Sequence, residues 1–446
     1  MLVDTKIVNA KILTVHGITS CGITIEDGKI HSIGLEASLP NASRSVDING
    51  KVVLPGLIDV HVHLRDLDLS FKEDFHSGTC AAAAGGFTTV LDMPNTKPPT
   101  NSLLRLKEKI ARAAGKILVN VGFYSDFPKA PEDFNYLKAE GAVAFKIHLL
   151  RPTTELNVDD DSVLRSAFKA VGKTKALVSV HAEDRSIITE LESKFQASGD
   201  TSLAAFLEAH SPEAEVRAIE RILRLIKGIN VRVHFAHVST LSGLKLIIQA
   251  KQAGLPITCE VTPHHLFLTE EDFLRLKGIA LITPPLRTRQ NALRLMAALK
   301  RGQVDLVVSD HAPHLLEEKM RENVWEISPG IPGLETTLPL LLTQFNCGHI
   351  SLRRIIEVLS EKPAKVFGFK TKGRLKIGYD ADLTIVDLTK KFTIDPSNFH
   401  SKAKYSPFNG WKVVGKPVQT WVGGNLVMDD GMITANPGAG RVIGVA

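Results

Sequence analysis

A chain of 446 residues, 44% hydrophobic and 23% charged, has the make-up of an ordinary globular protein, long enough for one large domain with a smaller one beside it. Its formal net charge of +6 comes from Lys and Arg scattered along the chain, which indicates a solvated surface with some pull on anionic metabolites and argues against a nucleic-acid partner. Cys21, Cys80, Cys259 and Cys347 form no CxxC pair, the N-terminus lacks a signal-peptide core, and no run approaches the ~18 apolar residues of a membrane span; a reducing, cytoplasmic setting is expected.

Residues 1–50 are expected to form short strands at Lys6–Asn9, Lys11–Val15, Gly22–Ile25 and Lys29–Ile33, with Asp27-Gly28 as a hairpin turn. The apolar run Val52–Val60, broken at Pro55-Gly56, reads as a buried strand delivering His61-Val62-His63. Side chains alternate along a strand, so both imidazoles face the same way and form half of a metal site. Further apolar runs then alternate with helix-like segments: Phe87–Leu91, Ile117–Val121, Val143–Ile147, Ala176–Val180, Val231–Phe235, Ile257–Val261 and Leu306–Ser309. Together with the first run they make eight candidate strands, the number that closes a (β/α)8 barrel. An open doubly wound sheet would want a Gly-rich phosphate turn after its first strand, and none is there. A β-rich texture returns after about residue 372, with strands at Ala381–Asp387 and Val418–Val422 and turns at Gly423-Gly424 and Asp430-Gly431. The expected organisation is therefore α/β: a TIM-type barrel over 55–371, flanked by a small discontinuous β-rich domain from 1–54 and 372–446.

Active sites of such barrels lie at the C-terminal ends of the strands, and polar residues gather at those ends here. His61, His63 and Arg65 end the first strand, Asn95 the second, Lys146 and His148 the fourth, His181 the fifth and His237 the sixth. His264 and His265 follow the seventh, and Asp310, His311 and His314 the eighth. A single histidine is usually structural; this recurrence at successive strand ends points to a metal-dependent enzyme. Histidine and carboxylate ligands suit zinc, and also manganese, cobalt or ferrous iron. Lys146 is either a core lysine paired with a carboxylate or a neutral amine that takes up carbon dioxide as a metal-bridging carbamate. Arg65 can hold a substrate carboxylate through two hydrogen bonds or form a salt bridge at the barrel rim. The polar stretch Leu315–Gly330 is either a solvated turn or a mobile rim loop.

The ordered motifs Pro55–Arg65, Asp92-Met93-Pro94-Asn95-Thr96, His181-Ala182-Glu183-Asp184, His234–Thr240, Thr262-Pro263-His264-His265, Pro284-Pro285-Leu286-Arg287, Ser309–His314 and Gly333-Leu334-Glu335-Thr336 resemble the amidohydrolase superfamily, most closely its dihydroorotases. The resemblance spans nearly the whole chain. It implies two divalent metal ions, zinc first among them. His61, His63 and Asp310 would hold one and His181 and His237 the other, bridged by carbamylated Lys146 and a hydroxide. It further implies reversible cyclisation of N-carbamoyl-L-aspartate to L-dihydroorotate in pyrimidine synthesis, with Asp310 as proton shuttle and Arg65, Asn95 and His314 on the substrate carboxylate. A homodimer, or association with another pyrimidine enzyme, is expected by the same analogy. Two departures stand out: Asp66-Leu67-Asp68-Leu69 follows Arg65 where many relatives carry Glu-Pro-Gly, and Thr283 stands where many carry Asn. Allantoinases and hydantoinases (dihydropyrimidinases) share the metal ligands and are the nearest alternative; Arg65 and Asn95 tilt toward a carboxylated substrate. A metal-free scaffolding relative would have lost ligands, and none is lost here.

Overall fold

The computed structural model describes residues 2–444. Among these, eight parallel strands follow one another in sequence order: Leu57–Val62, Phe87–Asp92, Asn120–Asp126, Ala142–His148, Leu177–His181, Arg232–Phe235, Ile257–Val261 and Leu306–Val307. A parallel bridge joins Val62 to His311, and the His63 N–H donates to the His311 carbonyl at 2.8 Å. These contacts bring the last strand back to the first and make the expected barrel. Helices fill the crossovers. Phe75–Ala84 starts at Asp74, which shares a reciprocal capping box with Ser77, and Asp160 and Asp184 cap Asp161–Lys173 and Arg185–Ala197.

Strand alternation sets what faces the barrel mouth. In Ala142–His148, Phe145 turns outward and packs edge-to-face on Phe134, with ring centroids 4.8 Å apart, while Lys146 and His148 turn into the cavity. Phe127 continues the aromatic cluster to Phe134 and Phe168. Each such pair adds roughly 0.5–1.5 kcal/mol beyond its buried area, so the strand carrying Lys146 is firmly seated.

The second sheet draws on both chain ends, as expected. Leu2–Thr14, Gly17–Glu26, Lys29–Gly34, Asn41–Asp47 and Val52–Pro55 join Leu383–Thr393, Lys412–Val422, Asn425–Asp429 and Met432–Ile433. Val52–Pro55 is the seam, parallel to Leu2–Thr14 on one side and antiparallel to Leu383–Thr393 on the other. Ile7, Ile23, Ile25, Val53, Leu383, Ile385 and Trp421 pack its buried face. The turns at Asp27-Gly28, Gly423-Gly424 and Asp430-Gly431 all take positive φ, the conformation a tight hairpin requires.

Some elements depart from expectation. The Val52–Val60 run is two strands in two sheets, because the chain crosses between them at Gly56. A Cβ there would come within 2.3 Å of Thr88 Oγ1 and 2.9 Å of the Asp382 carbonyl, so only glycine fits. The two expected strands at Lys6–Asn9 and Lys11–Val15 are one, Leu2–Thr14, with a register shift between Ile7 and Ala10 that places Asn9 at φ 52°. The third barrel strand begins at Asn120 rather than Ile117; Ile117 bonds instead to the C-terminal tail, its carbonyl accepting from the Gly438 and Gly440 N–H groups at 3.0 Å.

The stretch Leu315–Gly330 is neither a simple solvated turn nor a loose loop. Lys319 is 1% exposed and donates to the carbonyls of Leu281 (3.0 Å), Ser328 (2.7 Å) and Gly330 (2.9 Å), clamping the loops after strands seven and eight together. Lys319→Met is expected to cost about 1–3 kcal/mol by stranding these acceptors, read as a lower denaturation midpoint; an unchanged midpoint would contradict the clamp. Among the described residues no helix is long and apolar enough to cross a membrane.

Candidate active site

At the C-terminal mouth of the barrel lies a cavity of about 330 Å³, lined by His61, His63, Arg65, Asn95, Lys146, His181, His237, Asp310 and His314. The structure thus brings these nine residues, predicted from the sequence as metal-ligating or substrate-binding, to one place. Three of them, Arg65 (φ 59°), His237 (φ 32°) and Asp310 (φ 45°), hold left-handed backbone that non-glycine residues rarely adopt. Such conformations persist only where surrounding contacts enforce them, commonly at functional sites.

His61, His63 and Asp310 form the tightest constellation, with one ligand atom from each within 4.8 Å of the others. The Asp310 carboxylate lies 3.4 Å from His61 Nε2 and 3.3 Å from His63 Nε2. Opposite, His181 Nδ1 meets His237 Nε2 at 3.0 Å. Each pair presents ring nitrogens toward a shared point, and acceptors behind the rings explain why. Glu260 engages His61 Nδ1, Asn95 Oδ1 lies 2.7 Å from His63 Nδ1, and Glu183 lies 2.6 Å from His181 Nε2. An oxygen accepting from one ring nitrogen leaves the other with a lone pair for a cation. Burial alone would push both glutamates up; His61 and His234 hold Glu260 low, and His181 and His210 do the same for Glu183. Both therefore stay anionic.

Lys146 stands among these groups, 6% exposed, its Nζ without a hydrogen-bond partner. Among the described residues it makes no ion pair, which removes the reading of a core lysine paired with a carboxylate. Burial pushes its pKa down to about 8. A buried, unpartnered ammonium is costly, and a neutral amine is what carbon dioxide reacts with. Four imidazoles, a carboxylate and an amine lining one cavity are a donor set that fits two divalent cations.

Arg65 and His314 also line the cavity. Arg65 is buried, its Nε donating to the Pro313 carbonyl at 3.2 Å and its Nη2 lying 3.1 Å from His314 Nε2. Among the described residues no carboxylate pairs with it, so the rim salt bridge is also ruled out. The departure Asp66-Leu67-Asp68 proves structural. Asp66 and Leu67 continue the left-handed run begun by Arg65, and the Asp66 carboxylate accepts the Leu67 and Phe75 N–H groups and pairs with Arg112.

Sequence reasoning gave no role to Glu183 or Glu260. Their signal was present: each is a carboxylate in or beside a largely apolar strand, and Glu183 is two residues from His181. Asp126, Arg151 and Thr153 also line the cavity, as does Thr283, set aside on sequence grounds. His264, His265 and His311 lie outside its lining. His265 spans Thr262 and the Pro284 carbonyl, and His311 faces Glu73 at 3.5 Å.

Comparison with known proteins agrees with this geometry. The model of the amidohydrolase family matches residues 52–427. The chain is 36% identical to an L-hydantoinase of Paenarthrobacter aurescens over 99% of its own length and 98% of that protein's. It is 38% identical to a dihydroorotase of Bacillus cytotoxicus, covering 94% and 97%. The solved L-hydantoinase (dihydropyrimidinase) from Arthrobacter aurescens superposes with a TM-score of 0.94 at 36% identity, over 99% of this chain and 100% of that one. A barrel with this histidine–aspartate mouth, matched by the family model across most of its length, belongs to the amidohydrolase family.

Proposed function

We propose that this cyclic amide hydrolase is a dihydroorotase, acting in the cytoplasm to interconvert L-dihydroorotate and N-carbamoyl-L-aspartate in pyrimidine synthesis. The observation that carries this reading is the buried, unpaired Arg65 guanidinium beside Asn95 and His314. A buried cation without a carboxylate partner in the cavity favours a substrate that brings its own carboxylate, which dihydroorotate has and dihydrouracil lacks.

His61, His63 and Asp310 would hold one metal ion and His181 and His237 the other, with Lys146 as a carbamate between them. When bound, zinc supplies Lewis acidity that makes water a nucleophile near neutral pH and polarises the ring amide carbonyl. Arg65 anchors the carboxylate, with His314 as a further contact, and so fixes the position of the scissile bond. Asn95 reaches the same carboxylate through its amide nitrogen while its oxygen orients His63. Asp310 takes the proton that the attacking water loses and delivers it to the ring nitrogen as the C–N bond breaks. Burial raises the Asp310 pKa, which suits a carboxylate that must release a proton as well as take one.

The hydantoinase reading is favoured by the close likeness to an L-hydantoinase over the full chain. It requires a substrate that leaves Arg65 unpaired. Protein supplied with zinc is expected to hydrolyse dihydroorotate, lose that activity on dialysis against a chelator and regain it with zinc. Turnover that persists in metal-stripped protein would contradict the metal mechanism, and absence of dihydroorotate turnover in the zinc form would contradict the substrate assignment.

A further inference from the structure

Lys72 lies outside the cavity lining, yet it makes the decisive contact behind it. Its Nζ is 3.1 Å from His314 Nδ1 and 2.6 Å from Glu318 Oε1. An ammonium has hydrogens to give and no lone pair, so His314 Nδ1 must accept. Glu318 does not compete for a proton on Nδ1: its Oε1 is held by Lys72, its Oε2 accepts the Leu315 N–H at 2.9 Å, and it stands 3.6 Å from the ring. The ring proton therefore sits on Nε2, where the Pro329 carbonyl lies 3.0 Å away. Arg65 Nη2 comes within 3.1 Å of that same Nε2, and two donors cannot satisfy each other. The Pro329 carbonyl takes the Nε2 hydrogen, so Arg65 Nη2 finds no acceptor in His314 and its N–H is left for an anion in the cavity that both residues line.

We propose that Lys72 is a positioning residue for substrate specificity: it fixes His314 as the Nε2–H tautomer, which cannot accept from Arg65, and so keeps the guanidinium Nη2–H free for a substrate carboxylate. The inference rests on the dihydroorotase reading for the identity of the substrate, but the tautomer does not depend on it.

The test uses the full-length zinc enzyme with 15N-labelled histidine, the His314 signal being assigned by its loss in His314→Gln. The wild-type spectrum is expected to show a protonated Nε2 and a bare Nδ1. In Lys72→Met the freed Glu318 can accept from Nδ1–H, so the tautomer shifts. The KM for dihydroorotate should then rise about tenfold, well beyond any fall in kcat, while kinetics on uncharged dihydrouracil stay as in the wild type. Lys72→Arg, also a pure donor, should restore both readouts, which a merely structural lesion would not allow. A bare Nε2 in the wild type, or an unchanged tautomer and KM in a folded Lys72→Met, would overturn the proposal. Wild-type enzyme inert on dihydroorotate would sink the dihydroorotase reading, with the spectra still deciding the role of Lys72.

Discussion

Replacing Asp310 with Asn lowers kcat about 10³–10⁴-fold while KM for dihydroorotate changes little; this is the largest effect expected of any single substitution. Asn keeps the volume of the side chain, so the buried pocket does not collapse, but its amide can neither take the proton of the attacking water nor return it to the leaving nitrogen. The same change removes a charged oxygen that sits 3.3 Å from His63 Nε2 and 3.4 Å from His61 Nε2. Metal content measured alongside the rate separates the two losses: a variant that retains its metal and is still inactive isolates proton transfer. A loss of less than about tenfold would fall below what a group in general acid–base work supplies and would contradict the role given to Asp310.

The second large effect is on specificity. Arg65→Met is expected to raise KM for dihydroorotate by about 10²-fold, because a charge-assisted pair with a desolvated carboxylate is worth several kcal/mol. Turnover of hydantoin or dihydrouracil, which offer no carboxylate, should be spared or improved, since the variant no longer buries an uncompensated guanidinium. Arg65→Lys is not expected to rescue fully: a lysine lacks the planar fork and would leave the Pro313 carbonyl, now bound by Nε at 3.2 Å, without its donor. Equal losses on charged and uncharged substrates would show that Arg65 supports the barrel mouth and does not select the substrate.

Much of the site was legible because barrel geometry turns sequence spacing into position. His61 and His63 share a face by strand alternation, and each later strand end adds its residue to the same mouth. Alternation also explains Phe145 and Lys146, adjacent in sequence and opposite in environment. What was not legible are contacts between residues distant in the chain. Glu260 lies 199 residues from His61 and is recognisable as its partner only once the strands close into a ring. Lys319 sits in a charged stretch, Glu317-Glu318-Lys319, that composition assigns to solvent. Three carbonyls folded around its ammonium made it a buried clamp instead, and carbonyl geometry leaves no mark in side-chain pattern. The shift of the third strand from Ile117 to Asn120 has a similar origin: the apolar run meets a tail more than 300 residues away, so local hydrophobicity marked burial correctly and the element wrongly.

The most direct measurement is the ratio of kcat/KM values for dihydroorotate and for hydantoin and dihydrouracil, taken on one zinc-loaded preparation of the wild-type chain. If the unpaired Arg65 selects a carboxylate, dihydroorotate exceeds both by at least about 10²-fold, the factor a dedicated charged contact supplies. Hydantoin or dihydrouracil turned over faster than dihydroorotate would contradict that reading and make the chain a hydantoinase with its metal site intact.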